Sequence, residues 1–198
     1  MPAPISAIIV NYNAGTFLTN CVLATLNQVQ QIIVVDNASC DSSLLELEAR
    51  FPNEKHLQII RLNSNTGFAA GCNTGLSAST QPYILNPDCI LGENSLHRMM
   101  EVMESDASIG MVGGYLTNPD GTEQGGGRRA IPTPWRAFVR AFGLHHLAKF
   151  WPKLFFDFHL NKRPLPNKPI EVEAISGALM LVRLDAINDV GHWDESYF

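Results

Sequence analysis

The chain has 198 residues, of which 45% are hydrophobic and 17% are charged, and its formal net charge is −5 at pH 7. This balance predicts one large globular domain, or one domain with an appendage, that is long enough to bury a real core. The acidic charge argues against a nucleic-acid-coating surface, and the four cysteines lack the paired short spacing of a zinc site or disulfide framework.

Targeting signals are not evident in the sequence. Residues 1–10 lack the basic and apolar regions of a secretory signal, and no apolar run reaches the length that spans a bilayer. We therefore expect a cytoplasmic protein.

Apolar runs and helical spacings alternate along the first ~90 residues. The predicted strands are 5–10, 32–35, 57–62 and 83–85. The predicted helices are 17–26, a helix after a cap at Asp41 or Ser42, and 68–79. This alternation predicts an α/β fold with a doubly wound parallel sheet.

Each of these strands runs into a polar loop, and such loops carry function when a rigid sheet positions them. After the fourth strand the sequence reads Asn86-Pro87-Asp88. Proline ends the strand, and the amide and carboxylate oxygens on either side of it suit Mg²⁺ or Mn²⁺ shared with substrate phosphates. A plain turn is the alternative for this triplet.

Three glycines recur every four residues after the third strand, at Gly67, Gly71 and Gly75. Gly71 and Gly75 predict close packing of a helix against a strand, and Gly67 predicts a turn where backbone approaches a ligand. The spacing is not that of a dinucleotide fingerprint, which argues against a nicotinamide-dependent dehydrogenase.

The second half begins with a predicted helix over 94–104, a glycine-broken strand over 109–116 and a turn at Asn118-Pro119-Asp120-Gly121, to which we assign no metal role. Residues 124–168 are rich in aromatic and basic side chains, with one amphipathic helix predicted over 135–147. A lid packed on the main sheet is the favoured interpretation, and a surface for an anionic membrane or a lipid-linked substrate is the alternative. Strand pieces at 171–175 and 179–182 and a helix over 184–190 follow.

Five motifs along the chain together match the pattern of one known family. They are Ile8-Ile9-Val10-Asn11-Tyr12-Asn13, Val34-Val35-Asp36-Asn37-Ala38-Ser39, the run from Asn63 to Asn73, Leu85-Asn86-Pro87-Asp88, and the run from Ser176 to Val182 together with the run from Gly191 to Phe198. These motifs resemble the family 2 glycosyltransferases of GT-A fold, and among them the bacterial rhamnosyltransferase-type members. The resemblance extends over the whole chain except about 124–168, which divides it into a nucleotide-sugar-binding half (1–123), a variable insert (124–168) and an acceptor-side part (169–198).

The resemblance implies a role for each matching residue. Asp36 would accept a hydrogen bond from the base or ribose, and Asp88 would be the main carboxylate on a Mg²⁺ or Mn²⁺ ion, because Asn86 stands where the family has its first aspartate. Gly177 would lie near the donor sugar, and Asp194 and Glu195 would line the acceptor side. The remaining donor-binding residues implied in this way are Asn11, Asn13, Asn37, Asn65, Gly67 and Asn73.

The implied reaction is direct displacement at the anomeric carbon with inversion, which needs a general base and stabilisation of the leaving group. The chain ends at Phe198, before the acidic motif that supplies the base in the family. We therefore expect a truncated product, with Asp194 or Glu195 as the alternative base. A catalytically inactive nucleotide-sugar-binding or interaction module is the second hypothesis. A sugar nucleotidyltransferase would need a glycine-rich basic loop after the first strand, which is absent.

The resemblance also implies the partners. The expected donor is a dTDP- or UDP-sugar such as dTDP-rhamnose, and the acceptor is a cell-surface polysaccharide or a lipid-linked saccharide. We expect no nucleic acid partner. A peripheral contact of 133–163 with the cytoplasmic face of the inner membrane and a homodimer are left open.

Overall fold

The computed structural model describes residues 2–79, 82–85, 89–124, 127–129, 131, 133–151, 155 and 165–196. The strands are β1 (Ala3–Asn11), β2 (Val29–Asp36), β3 (Leu57–Arg61), β4 (Pro82–Leu85), β5 (Met111–Gly113), β6 (Arg128–Arg129), β7 (Ala174–Ile175) and β8 (Leu179–Val182). The helices are α1 (Thr16–Leu26), α2 (Ser43–Arg50), α3 (Gly67–Ser77), α4 (Ser95–Ser105), α5 (Pro134–Ala141) and α6 (Leu184–Val190), with a 3₁₀ helix at Leu144–Lys149.

Six strands form one sheet in the order β3-β2-β1-β4-β8-β5. The first four are mutually parallel, as the strand–helix alternation predicts. β8 lies antiparallel between β4 and β5, so the sheet is mixed. The predicted α/β architecture, a mostly parallel sheet with helices, is confirmed.

The core lies around the central strands, and its composition explains why these segments are strands. β1 is buried from Ile5 to Asn11, and β2 is buried from Ile32 to Asp36. Continuous burial rather than alternation is typical of parallel strands that are covered on both faces. The side chains of Leu18, Cys21 and Val22 on α1 are also fully buried.

The predicted close packing of α3 against a strand is confirmed. A Cβ atom built on Gly71 lies 2.7 Å from Val10 Cγ1, and one built on Gly75 overlaps Ile8 Cγ2. Ile8 and Val10 are two positions apart on β1, so their side chains lie on the same face of the sheet. The two glycines therefore let the α3 backbone approach β1 directly.

Three predicted elements are wrong in extent. The strand piece predicted over 171–175 is confined to Ala174–Ile175. The strand predicted over 109–116 is confined to Met111–Gly113, and the residues after it lead into a turn in which Asn118 N donates to Thr122 O at 2.8 Å. The helix predicted over 135–147 is two elements, because Gly143 adopts φ +68° between α5 and the 3₁₀ helix. A left-handed residue at that point satisfies the end of one helix and prevents its continuation.

Internal contacts divide the chain into two compact units, Met1–Gly114 with Gly177–Phe198, and Tyr115–Ser176. The first holds the six-stranded sheet and the second holds the β6-β7 pair, α5 and the 3₁₀ helix. The predicted division at 123 and 168 stays a prediction. Among the residues described, no helix has the length and apolar character needed to cross a bilayer.

Candidate functional site

The topology brings the ends of the parallel strands to one edge of the sheet. Asn11, the last residue of β1, is the register partner of Asp36, the last residue of β2. On the other side of β1, Leu85 at the end of β4 is the partner of Ile9. In sheets of this kind, ligands bind beyond the carboxyl ends of the strands, so this edge is the candidate site.

The centre of the edge is a hydrogen-bonded pair of buried side chains. Asn11 Nδ2 donates to Asp36 Oδ1 at 2.7 Å and to Ser43 Oγ at 2.9 Å. Asp36 Oδ2 accepts from Ser39 N at 3.2 Å. Asn11 is 0% exposed and Asp36 is 5% exposed. These contacts give Asn11 an indirect part in any ligand site, since it orients the Asp36 carboxylate.

Two loops at the edge are tied together through Asn13, which adopts φ +53°. Its Oδ1 accepts from Cys40 N at 2.8 Å and from Asp41 N at 3.3 Å, and its backbone N–H donates to Ser39 Oγ at 3.0 Å. Asparagine tolerates this left-handed conformation better than most residues. The loop after β1 is thus fixed to the loop after β2.

Asp41 reinforces the same connection. It accepts from Gly15 N at 2.9 Å and from the Ser43 hydroxyl at 2.6 Å. The Ser43 hydroxyl and these backbone N–H groups hold the pKa of Asp41 below its ordinary value, because they stabilise the ionised carboxylate. Asp41 therefore carries a negative charge at the edge of the sheet at neutral pH.

Asn37 connects the end of β2 to the start of α3. Its side chain is 2% exposed. Its Oδ1 accepts from Thr66 N at 2.9 Å, and its Nδ2 donates to Gly67 O at 3.0 Å. Asn65 Oδ1 accepts from Gly67 N at 3.0 Å, and Gly67 itself has φ +86°. These bonds fix the turn at which α3 begins, where the sequence predicts close approach of backbone to a ligand.

Asn73 contacts a distant part of the chain. Its Nδ2 donates to Trp193 O at 2.9 Å and to Glu195 Oε1 at 2.7 Å, while its Oδ1 accepts from Trp193 N at 3.1 Å. The predicted place of Asn73 beside the nucleotide stays a prediction. The contacts described show instead that Asn73 holds the acidic segment 193–195 against α3.

The two acidic residues of that segment differ in their contacts. Asp194 Oδ1 accepts from Ser196 N at 2.9 Å and from Ser196 Oγ at 2.7 Å. The Ser196 hydroxyl and amide lower the pKa of Asp194, so this carboxylate binds a proton less readily than an ordinary aspartate. Glu195 is held by Asn73.

Of the remaining predicted site residues, Gly177 is among the described residues and two others are not. Gly177 precedes β8, and the atom nearest to an added Cβ is Met180 Cε at 3.9 Å, so the backbone there is open. Asn86 and Asp88, the predicted metal ligands, lie outside the described residues. Within the part of the chain that is described, no three His, Cys, Asp or Glu residues come together in a way that could hold a metal ion.

Sequence reasoning missed the residues that support the site. The sequence pattern assigns no role to Ser43, includes Ser39 only as the last residue of a matching stretch, and indicates Asp41 only as a helix cap. All three follow the second strand within seven residues of Asp36. The density of small polar side chains there was the available signal, since such residues hydrogen-bond to nearby backbone in turns.

Comparison with known proteins identifies the sequence family. Residues 6–190 match the family model described as "Glycosyl transferase family 2". An N-acetylglucosaminyl-diphospho-decaprenol L-rhamnosyltransferase of Mycobacterium tuberculosis is 25% identical over an alignment 208 positions long, and the alignment covers 96% of this chain and 65% of the relative. The glycosyltransferase GlyG of Streptococcus pneumoniae is 31% identical over 117 residues, covering 56% of this chain and 38% of the relative. The chain thus spans less than two thirds of the length of either relative.

A solved structure shares the fold. A mannosyltransferase of Pyrobaculum calidifontis, in complex with GDP-Man and Mn²⁺, is 18% identical and superposes with a TM-score of 0.51, covering 61% of this chain and 37% of that chain. At this identity the likeness concerns the fold alone. Together with the family match and the sheet order, it confirms the predicted GT-A fold.

Proposed function

This chain belongs to glycosyl transferase family 2, and we propose that it binds a nucleotide-diphosphate sugar at the carboxyl edge of β1 and β2 and transfers the sugar with inversion. The observation that carries the proposal is the buried Asp36 carboxylate at that edge, held by Asn11 and the Ser39 N–H. A carboxylate has about four acceptor positions, so Asp36 retains capacity for an N–H of a base or a hydroxyl of a ribose. A ligand of this kind needs no metal for that contact.

The donor that we propose is dTDP-rhamnose, with UDP-sugars as the alternative class. Its support is the similarity to the mycobacterial L-rhamnosyltransferase. The name of that relative also describes a sugar linked to decaprenol through a diphosphate, which supports a lipid-linked or cell-surface polysaccharide acceptor for this chain.

We propose that Asp88, assisted by Asn86, holds Mg²⁺ or Mn²⁺. Two observations support this: β4 ends at Leu85, one strand from Asn11, and Mn²⁺ accompanies GDP-Man in the structural neighbour. Amide and carboxylate oxygens are the ligands that such hard cations prefer. A cation bound there neutralises charge on the leaving diphosphate.

In the transfer step, the acceptor hydroxyl attacks the anomeric carbon of the donor sugar, and a base removes the hydroxyl proton. We propose that Asp194 and Glu195 line the acceptor side, with Gly177 leaving room for the sugar. The Ser196 hydroxyl and amide lower the pKa of Asp194, which makes it a weaker base than an ordinary aspartate. Because of that pKa and the Asn73 bond to Glu195, binding without turnover is the second candidate function.

Calorimetric titration with dTDP and with UDP, each with and without Mn²⁺, tests the proposal. Asp36→Ala should weaken binding about 10- to 100-fold whether or not Mn²⁺ is present, since it removes a hydrogen bond to a charged group. Asp88→Ala should abolish only the part of the affinity that depends on Mn²⁺. If both substitutions changed the nucleotide affinity in the same way with and without Mn²⁺, the separate roles proposed for Asp36 and Asp88 would be refuted.

Asp106→Ala is the matched control. Asp106 follows α4 and precedes β5, which runs parallel to β4, so it lies at the opposite edge of the sheet. Its substitution should leave both affinities unchanged. No binding of either nucleotide to the folded wild-type chain would refute the donor site itself, whereas binding without sugar transfer to a lipid-linked acceptor would support the second candidate.

A further inference from the structure

Six aromatic rings in the unit Tyr115–Ser176 form one continuous cluster, which we call the aromatic patch. Neighbouring rings along it have centroids 4.4–6.5 Å apart, within the range of favourable aromatic contacts. From one end of the patch to the other, with each ring next to the one before it, the residues are Phe142, Phe138, Trp135, Phe155, Trp151 and Phe150.

The patch is on the surface. Exposure ranges from 44% at Phe138 to 70% at Phe150 for five of the six residues, and Phe155 is half-buried. Val139, on the same helix, is fully buried. The helix α5 therefore packs through Val139 and turns Trp135 and Phe138 outward, and the exposed Phe142 follows at its C-terminal end. A contiguous exposed apolar surface of this kind marks an interaction site.

The backbone under the patch is held in place by polar contacts. Thr133 Oγ1 accepts from Arg136 N at 3.2 Å at the start of α5, with Pro134 in the first turn. Arg136 Nη1 donates to Glu173 Oε2 at 2.7 Å, and Ile131 N donates to the same oxygen at 2.7 Å. These bonds connect the start of α5 to Glu173, the residue directly before β7. The backbone that carries the rings is therefore held by hydrogen bonds.

The sequence of the unit that contains the patch has a net charge opposite in sign to that of the whole chain. Residues 115–176 contain nine of the 14 lysines and arginines but only five of the 19 acidic residues, in a chain whose net charge is −5. The unit that carries the rings is thus cationic, while the rest of the chain is strongly acidic. A cationic surface is attracted to an anionic one within a Debye length.

We propose that the aromatic patch docks this protein on an anionic lipid bilayer, with the rings at headgroup level and α5 lying in the plane of the surface. Tryptophan is enriched at the membrane–water boundary because one end of its ring system is apolar and the other carries an N–H donor. An exposed aromatic face in a segment rich in lysine and arginine is the pattern of a helix that lies on a membrane. The proposal is independent of the donor site and needs no nucleotide.

Intrinsic fluorescence distinguishes the patch from the rest of the chain. Trp135 and Trp151 lie in the patch, and Trp193, the third tryptophan, belongs to the other unit. With vesicles of phosphatidylglycerol and phosphatidylcholine, emission should shift to the blue and be quenched by brominated lipid. Both effects should persist in Trp193→Phe and disappear in the double variant W135F/W151F.

Vesicle sedimentation measures the affinity. Phe138→Ser with Phe142→Ser should weaken binding about tenfold or more, since two rings that would be buried in lipid are lost. Leu45→Ser is the matched control, because Leu45 is 71% exposed on α2 in the other unit. Binding should also fall with added salt and with the removal of phosphatidylglycerol.

Several results would overturn the proposal. They are the absence of binding to anionic vesicles by the folded wild type, equal binding by the serine variant and the control, and quenching that requires Trp193. A concentration-dependent dimer that loses its stability in the serine variant, without vesicle binding, would assign the patch to a second copy of the chain. Far-UV circular dichroism and nucleotide titration of each variant separate loss of docking from loss of fold or of the donor site.

Discussion

The close approach of α3 to β1 makes a sharp prediction for Gly71→Ala. Helix propensity alone favours the substitution by about 1 kcal/mol, because glycine costs that much relative to alanine inside a helix. The added Cβ would lie 2.7 Å from Val10 Cγ1 and 3.1 Å from Val10 Cγ2. Overpacking of a rigid core costs about 1–3 kcal/mol. We expect the upper part of that range.

Val10 cannot move aside easily, and for this reason we expect the substitution to destabilise the protein rather than to stabilise it. Val10 is β-branched and stiff at χ1, and it lies on a strand held between β2 and β4. We therefore expect Gly71→Ala to lower the free energy of unfolding by about 1–2 kcal/mol after the propensity gain. For a chain of this size that corresponds to a fall of roughly 2–8 °C in Tm.

Urea unfolding followed by circular dichroism measures the effect in a double-mutant cycle with Val10→Ala. Removing the valine methyl groups should leave room for the new Cβ, so Gly71→Ala should stabilise the Val10→Ala background. The expected coupling energy is about 2 kcal/mol. If Gly71→Ala stabilised both backgrounds equally, contact with β1 would not be the reason for the glycine, and the reasoning would be refuted.

Three other substitutions test the edge of the sheet. Asn37→Asp keeps the acceptor for Thr66 N but places an oxygen against Gly67 O, and should cost about 1–3 kcal/mol in urea unfolding. Asp41→Asn should destabilise the protein at pH 7. Because the folded pKa of Asp41 is lowered, its contribution is present above the unfolded pKa and is lost as the pH falls below about 4, so the difference from wild type should vanish there. Asn73→Ala should speed hydrogen exchange of the Trp193 amide about tenfold or more, while Thr74→Ala, whose hydroxyl bonds only within α3, should not; equal rates in both variants would contradict the proposed anchor.

Local patterns in the sequence were sufficient for the parallel half of the sheet. Continuous apolar runs such as that of β1 predict strands buried on both faces, and the helices between them require parallel pairing. The two glycines of α3 also predicted close packing correctly, because only a helix that touches another backbone needs bare positions along one face. Both inferences depend on residues that are near one another in the chain.

Sequence patterns failed where local propensity was ambiguous. The apolar spacing of 135–147 is continuous, yet Gly143 ends α5 after eight residues. Similarly, the residues of 109–116 have strand character, but the ladder that this segment forms with β8 is confined to Met111–Gly113. In each case the presence of a neighbour or a left-handed residue, rather than hydrophobicity, set the boundary.

The sequence by itself therefore determined which segments are buried, which loops are polar and which family the chain resembles. Only the tertiary structure decided the partners: Asp36 rests on Asn11, 25 positions earlier, and Asn73 holds Glu195, 122 positions later. It also decided that β8 enters antiparallel between β4 and β5. The physical reason is that burial and turn formation depend on neighbouring residues, whereas a hydrogen bond between distant side chains depends on how the whole sheet is assembled.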